Sequence, residues 1–188
     1  MALTEKKLEN KHILLGVSGG IAAYKAADLA GKLTAAGAVV RTIMTENACK
    51  LITPLTLESV TGGPVYTSMW QGPEDFKIGH IQMADWADAV VVAPATADII
   101  AKVAAGICDD LLTTTLCACW DKHVLLAPAM NSKMWANPIL QRNMAILTDQ
   151  LKFNTIGPES GRLACGTTGI GRMAEPTDIL EALAALLK

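Results

Sequence analysis

Residues His12 to Val17 form a short apolar run that ends in Ser18-Gly19-Gly20, and behind it Ala22, Ala26, Leu29, Leu33 and Ala36 recur at helical spacing until Gly37. Apolar residues three or four apart mark one buried helix face, and a glycine just past the last of them suits a helix end. Strand, glycine turn and helix in that order form the first half of a βαβ unit, which commits the chain to a parallel sheet. The alternation continues. Val39 to Met44 and Ala89 to Ala93 read as strands, the latter preceded by a short helical segment, Ile81 to Ala87. Ala97 to Ala105 and Asp109 to Trp120 read as helices broken at Gly106, and Val124 to Ala127 as a fourth strand. Asn137 to Leu151 is expected to be helical with Pro138 in its first turn, and Phe153 to Ile156 to be a fifth strand. A final helix follows Pro176, where Asp178 and Glu181 have capping-box spacing. The expected fold is α/β, a doubly wound, Rossmann-like parallel sheet in a single domain over 1–188.

Composition narrows the possible partners. A formal charge of -2 gives no electrostatic case for nucleic acid, whose binders cluster Lys and Arg on one face. Hydrophobic residues make up 51% but aromatics only 4%, so the apolar content is mainly aliphatic, as suits parallel strands buried on both faces or subunit contacts. Apolar runs are interrupted well short of a membrane span, and Met1 to Lys11 is charged with no apolar stretch behind it, so neither a membrane span nor a secretion signal is expected. The five cysteines, Cys49, Cys108, Cys117, Cys119 and Cys165, form no CxxC pair. They read as free thiols of a cytoplasmic protein rather than disulfides or a metal site, with Cys117 and Cys119 as helix core.

Gly16-Val17-Ser18-Gly19-Gly20 lets backbone N–H groups approach an anion at a helix N-terminus, although a glycine turn can equally serve to pack a helix closely on its strand. The spacing is not GxGxxG, and no acidic residue ends the second strand to hold a ribose, which disfavours a nicotinamide dinucleotide. Hydroxyls at other expected strand ends, Thr45, Thr53 and Thr96, suggest a cofactor with a polar tail, such as FMN. Downstream, Val124 to Ala127 runs into Pro128-Ala129-Met130-Asn131, where a lone amide can serve a ligand or cap the helix start before Met134. From Gly157 to Pro176 the chain carries five glycines, two prolines, Cys165, Arg162 and Arg172, a stretch that reads as a long loop and a substrate lid. His80, beside Gly79, is either structural or a proton-exchanging group.

Six blocks, Ser18 to Lys25, Thr53 to Thr56, Gly79-His80-Ile81, Ala93 to Asp98, Pro128 to Asn131, and Ala164-Cys165-Gly166, occur in the order found in a known family. With Gly171-Arg172-Met173 added, the chain resembles the flavin-dependent cysteine decarboxylases from about His12 to Pro176, most closely those of coenzyme A biosynthesis. The resemblance implies an FMN enzyme that oxidises the cysteine part of phosphopantothenoylcysteine, loses CO2, and reduces the resulting enethiol with the same flavin. It places His80 in the active site beside the flavin, Asn131 on the substrate carboxylate or amide, and Cys165 as proton donor in the final reduction. It assigns FMN binding to Thr96, Ala97 and Asp98, and with the turn and strand-end residues the candidate cofactor set is Ser18, Gly19, Gly20, Thr45, Thr53, Thr96, Ala97, Asp98 and Ala129. The candidate substrate residues are Met130, Asn131, Lys133, Arg162, Leu163, Ala164 and Arg172, of which Arg162, Arg172 or Lys133 can meet a phosphate by charge or else are ordinary solvated cations. No metal is expected.

The chain departs from many relatives in having Thr167 after Cys-Gly, where they have Asp, and Asp98 where they often have Asn. Many bacterial relatives continue into a second domain, so a stand-alone enzyme and a truncated one are both open. The resemblance further implies a homotrimer, or a higher homo-oligomer, with sites between subunits. Decarboxylation of a peptide's C-terminal cysteine, flavin prenyl transfer and a flavin-bound regulatory subunit are the alternatives.

Overall fold

The computed structural model describes residues 7–70, 79–162, 164 and 166–188. Six parallel strands form the central sheet: β1 (His12–Val17), β2 (Val39–Met44), β3 (Val65–Tyr66), β4 (Ala89–Ala95), β5 (His123–Pro128) and β6 (Asn154–Thr155), in the order β3-β2-β1-β4-β5-β6. Both faces are covered, so side chains of alternate parity enter two different cores. Ile13, Leu15, Val17, Val91 and Ala93 face helices α1 (Tyr24–Ala35), α3 (Pro54–Thr61) and α9 (Pro176–Leu186). Leu14, Ile43, Val90, Val92 and Leu126 face α4 (His80–Trp86), α5 (Ala97–Ala104), α6 (Leu111–Ala118) and α8 (Pro138–Ala145). All seven residues of β4 are buried, which is why its sequence is a continuous apolar run rather than an alternation.

The chain enters α1 on one face after β1 and α5 on the other after β4. Because β1 and β4 are neighbours, their following loops diverge and a crevice opens at the carboxyl ends of the strands. Two one-turn helices, α2 (Glu46–Cys49) and α7 (Ser132–Trp135), lie at that end of the fold, after β2 and β5. A hairpin of β7 (Glu159–Arg162) and β8 (Thr168–Arg172) forms a separate two-stranded antiparallel sheet.

The doubly wound expectation holds, with several corrections. The stretch 157–176 is not merely a loop but carries the β7–β8 hairpin; Gly-rich strands with little apolar alternation gave no period-two signal. Helix α8 gives way to a π-helical segment, Ile146–Gln150, where one continuous helix to Leu151 is expected from the sequence. The N-cap of α9 is Glu175, so Asp178 lies inside the helix and forms no capping box with Glu181. A reciprocal box does form on α6, between Asp110 and Thr113. Cys119 is buried as expected, its thiol pushed up to about 12 by desolvation, but Cys117 is exposed. The four described cysteines are free, no metal-ligating cluster occurs among the described residues, and no described helix is long and apolar enough to cross a membrane.

Candidate functional site

At the switch point the ends of β1 and β4 are joined by one hydroxyl. Ser18 is 2% exposed; its Oγ donates to the Pro94 carbonyl at 2.7 Å, accepts from the Thr96 N–H at 3.1 Å, and lies 3.0 Å from Thr96 Oγ1. Its role here is to hold two loops together beneath the crevice. Gly19 must be glycine for a reason of space: a Cβ there would stand 2.4 Å from Asn47 Cβ.

Above this floor lies a cleft of about 1120 Å³ lined by Gly19, Gly20, Thr96, Ala97, Asp98, Ala129, Met130 and Asn131, and closed on its other side by Arg162, Ala164, Gly166, Gly171 and Arg172. Of the helix starts that line it, those at Gly20 and Thr96 have no side-chain cap. Gly20 precedes the 3-10 turn Ile21–Ala23 that leads into α1, and Thr96 precedes α5. Glu175, at the start of α9, also lines the cleft without a side-chain cap, but it brings a carboxylate paired with Lys25; by contrast α2 and α3 are capped, Thr45 Oγ1 accepting from Ala48 N and Thr53 Oγ1 from Thr56 N. A helix start with no side-chain acceptor presents N–H groups and the positive end of its dipole to whatever occupies the cleft. The two uncapped starts therefore fit a ligand with an anionic, hydroxyl-bearing tail, which is what FMN carries.

Asn131 sits where β5 ends, and both readings of it meet in the structure. It lines the cleft while its Oδ1 accepts from the Lys133 N–H at 2.9 Å, capping α7. The cap turns the amide oxygen toward the helix and so fixes which end of the amide can donate. The hairpin is seated on this segment by two glycines. Met130 N–H donates to Gly171 O at 2.9 Å; a Cβ on Gly171 would stand 2.1 Å from Met130 O, and one on Gly169 would stand 2.3 Å from Ser132 Oγ.

Not every expected residue joins the cleft. Thr45 and Thr53 do not line it; Thr53 follows α2 rather than a strand, and both hydroxyls serve helix starts. Lys133 is exposed outside it, in α7. His80 begins α4, which packs with α6 in the core that α5 and α8 share, and does not line this cleft. Asp98 does line it, but its carboxylate is 66% exposed and lies 3.3 Å from Lys102, which also pairs with Asp109 at 3.1 Å. Leu163 and Cys165 lie outside the described residues. Sequence reasoning missed Lys25 and Glu175, which line the cleft and are paired with each other. Lys25 had one visible signal, a lone cation inside the small-residue run from Ser18 to Ala27.

Three kinds of similarity bear on this site. The chain is 48% identical over 174 residues to the coenzyme A biosynthesis bifunctional protein CoaBC of Bacillus subtilis (strain 168), covering 93% of this chain and 42% of that protein. It is 45% identical over 174 residues to the protein of the same name from Escherichia coli (strain K12), covering 93% and 42%. The chain thus spans less than half the length of these curated relatives. Among solved structures, a PPC decarboxylase cysteine-to-serine mutant complexed with pantothenoylaminoethenethiol superposes with a TM-score of 0.85 at 36% identity, over 95% of this chain and 98% of that one. The FMN binding protein AtHal3 superposes with a TM-score of 0.81 at 35% identity, over 95% and 97%. The Flavoprotein family pattern matches residues 1–188, and with an anion-ready cleft at the switch point of a doubly wound sheet, the chain belongs to the Flavoprotein family.

Proposed function

We propose that the chain is an FMN-dependent decarboxylase that converts 4′-phosphopantothenoylcysteine to 4′-phosphopantetheine in coenzyme A biosynthesis. The observation that carries this reading is the convergence, in one cleft, of two uncapped helix starts, the Asn131 amide and the hairpin, in a chain similar over nearly its whole length to a PPC decarboxylase.

Bound FMN would supply the oxidation of the substrate's cysteine part and the later re-reduction, which make the carboxylate able to leave without net redox change. The protein's own groups do the rest. The first-turn N–H groups just past Gly20 and Thr96 would hold the cofactor's anionic end, and Gly19 keeps that turn close to its neighbours. Asn131, fixed by its cap, offers a donor to the substrate carboxylate or amide. Ala164 and Gly166 close over the substrate, and Cys165, between them in sequence, donates the proton that completes the thiol product.

For the substrate phosphate, the structure favours one of three cations. Arg172 is paired with Glu159 at 2.8 Å and lies 3.5 Å from Glu175, and its guanidinium is held even more firmly protonated by Glu159. Lys133 is outside the cleft. Arg162 lines the cleft and, among the described residues, has no carboxylate partner. We assign the phosphate to Arg162, since a guanidinium can meet a phosphate with two parallel hydrogen bonds. Arg162→Met should raise KM for the phosphorylated substrate about 10-fold or more, as loss of a charge-assisted contact implies, and should leave KM for the dephosphorylated analogue nearly unchanged. Equal changes for both substrates would remove Arg162 from that role.

We further propose a homotrimer in which His80 of one subunit completes a neighbour's cleft. The support is the placement of His80 away from its own cleft, together with exposed Ile81, Ile107 and Trp120 around the packed helices α4 and α6. Light scattering should give three chains per particle; a stable monomer with full activity would exclude a shared site.

The reaction itself is tested by an absorbance spectrum of the purified protein, then by adding phosphopantothenoylcysteine and weighing the product. A flavin spectrum with CO2 release and phosphopantetheine supports the assignment. Turnover of a peptide with C-terminal cysteine but not of phosphopantothenoylcysteine would replace it with the peptide reading, and no flavin after FMN is added would sink both.

A further inference from the structure

Four charged side chains in and beside the cleft have no part in the chemistry proposed above. Lys25, in the first turn of α1, is only 13% exposed, and its Nζ donates to Glu175 Oε1 at 2.9 Å and to the Met173 carbonyl at 3.4 Å. Glu175 is the N-cap of α9 and lies 3.5 Å from the Arg172 guanidinium, which in turn donates to Glu159 at 2.8 Å. Glu159 and Arg172 are cross-strand partners at the open end of the β7–β8 hairpin, where it joins the rest of the chain. Charges therefore alternate from α1 through the start of α9 to both roots of the hairpin.

The members of this chain differ in burial. Arg172 is 43% exposed and Glu159 32%, so solvent weakens that ion pair. Lys25 is nearly enclosed, and a cation in such a position must be paired or lose its charge. Its ammonium is committed to two acceptors that both belong to the segment leaving the hairpin, Met173 and Glu175. Met173 and Ala174 are themselves buried in the core against α1 and α9. The ion pair thus ties a small, glycine-rich hairpin to the rigid helix that starts at the cofactor end of the same cleft.

We propose that Lys25 and Glu175 are positioning residues, which clamp the hairpin root to α1 and so hold Arg162 and Ala164 over the cleft. This rests on the decarboxylase reading only for its effect on turnover; the clamp itself is a statement about the hairpin. A direct role for Lys25 on the substrate phosphate is the competing account, and the two predict different behaviour in the absence of substrate.

Trypsin cuts after arginine, so cleavage at Arg162 and Arg172 reports how often the hairpin opens. In the flavin-loaded protein without substrate, Lys25→Met and Glu175→Gln should each speed cleavage at these sites about 10-fold, since proteolysis follows the population of the opened form. Lys25→Arg, which keeps the charge, should remain near the wild-type rate. With substrate, Lys25→Met should raise KM while Lys25→Arg restores it. Unchanged cleavage in both Lys25→Met and Glu175→Gln would overturn the clamp, and a raised KM alongside it would pass Lys25 to direct substrate binding. A wild-type protein that fails to decarboxylate at all would sink the functional reading and leave the cleavage comparison standing.

Discussion

Gly171→Ala should lower decarboxylation about 100-fold while the protein stays folded and keeps its flavin, because a displacement of roughly 1 Å at a substrate-holding group has an effect of that order. The added methyl would stand 2.1 Å from the Met130 carbonyl oxygen, a backbone atom that cannot rotate away. Either the hairpin lifts or the Met130–Asn131 segment retreats, and the Met130 N–H to Gly171 O bond is strained in both cases. The two uncapped helix starts at Gly20 and Thr96 are built from other elements, so cofactor binding should survive. Overpacking of this kind costs about 1–3 kcal/mol, visible as a modest fall in melting temperature. Product assays together with the flavin spectrum check the separation; near-normal turnover would mean that the hairpin's seat on Met130 does not position the substrate.

Cys165→Ser should divide the reaction into its halves. If the thiol donates the last proton, the variant should bind FMN and release CO2 but form little of the saturated thiol, with a loss of about 10²–10⁴-fold in that step, the usual range for a general acid. The enethiol should accumulate and the flavin absorbance should stay bleached. A serine hydroxyl is close in size to the thiol but a far weaker acid, so binding is spared and proton transfer is not. Mass analysis of the quenched reaction distinguishes enethiol from thiol; equal losses of CO2 and thiol would move Cys165 to the first step.

Much of this architecture was legible before folding. Strands β1 and β2 run over the residues that the apolar pattern marks, His12–Val17 and Val39–Met44, because strands buried on both faces must be apolar throughout. Gly19, Gly20, Thr96, Ala97, Asp98, Ala129, Met130, Asn131, Arg162, Ala164 and Arg172 were each singled out from sequence and resemblance, and they line one cleft. Topology explains that agreement, since in an open parallel sheet the residues just past the strand ends near the switch point have to meet.

Roles within the cleft were less legible. Ser18 is expected on the cofactor and instead ties Pro94 to Thr96, and Thr45 and Thr53 cap helices, because a hydroxyl takes whichever backbone partner lies nearest. The two-residue strand β3 and the hairpin carried too few apolar residues to show a period. His80 does not line the cleft with Asn131 although both belong to recognised blocks, since motif order does not say which segments of one chain meet in space.

The sequence by itself determined the winding of the sheet, the location of its crevice and the identity of the residues at its rim, since these follow from local periodicity and from short connections. Only the tertiary structure decided that Lys25 and Glu175, 150 positions apart, share an ion pair, that Arg172 is paired with Glu159 while Arg162 has no carboxylate partner among the described residues, and that two glycines seat the hairpin on Met130 and Ser132. Those are contacts between side chains and backbone brought together by packing, and no periodicity along the chain encodes which charges will face one another across it.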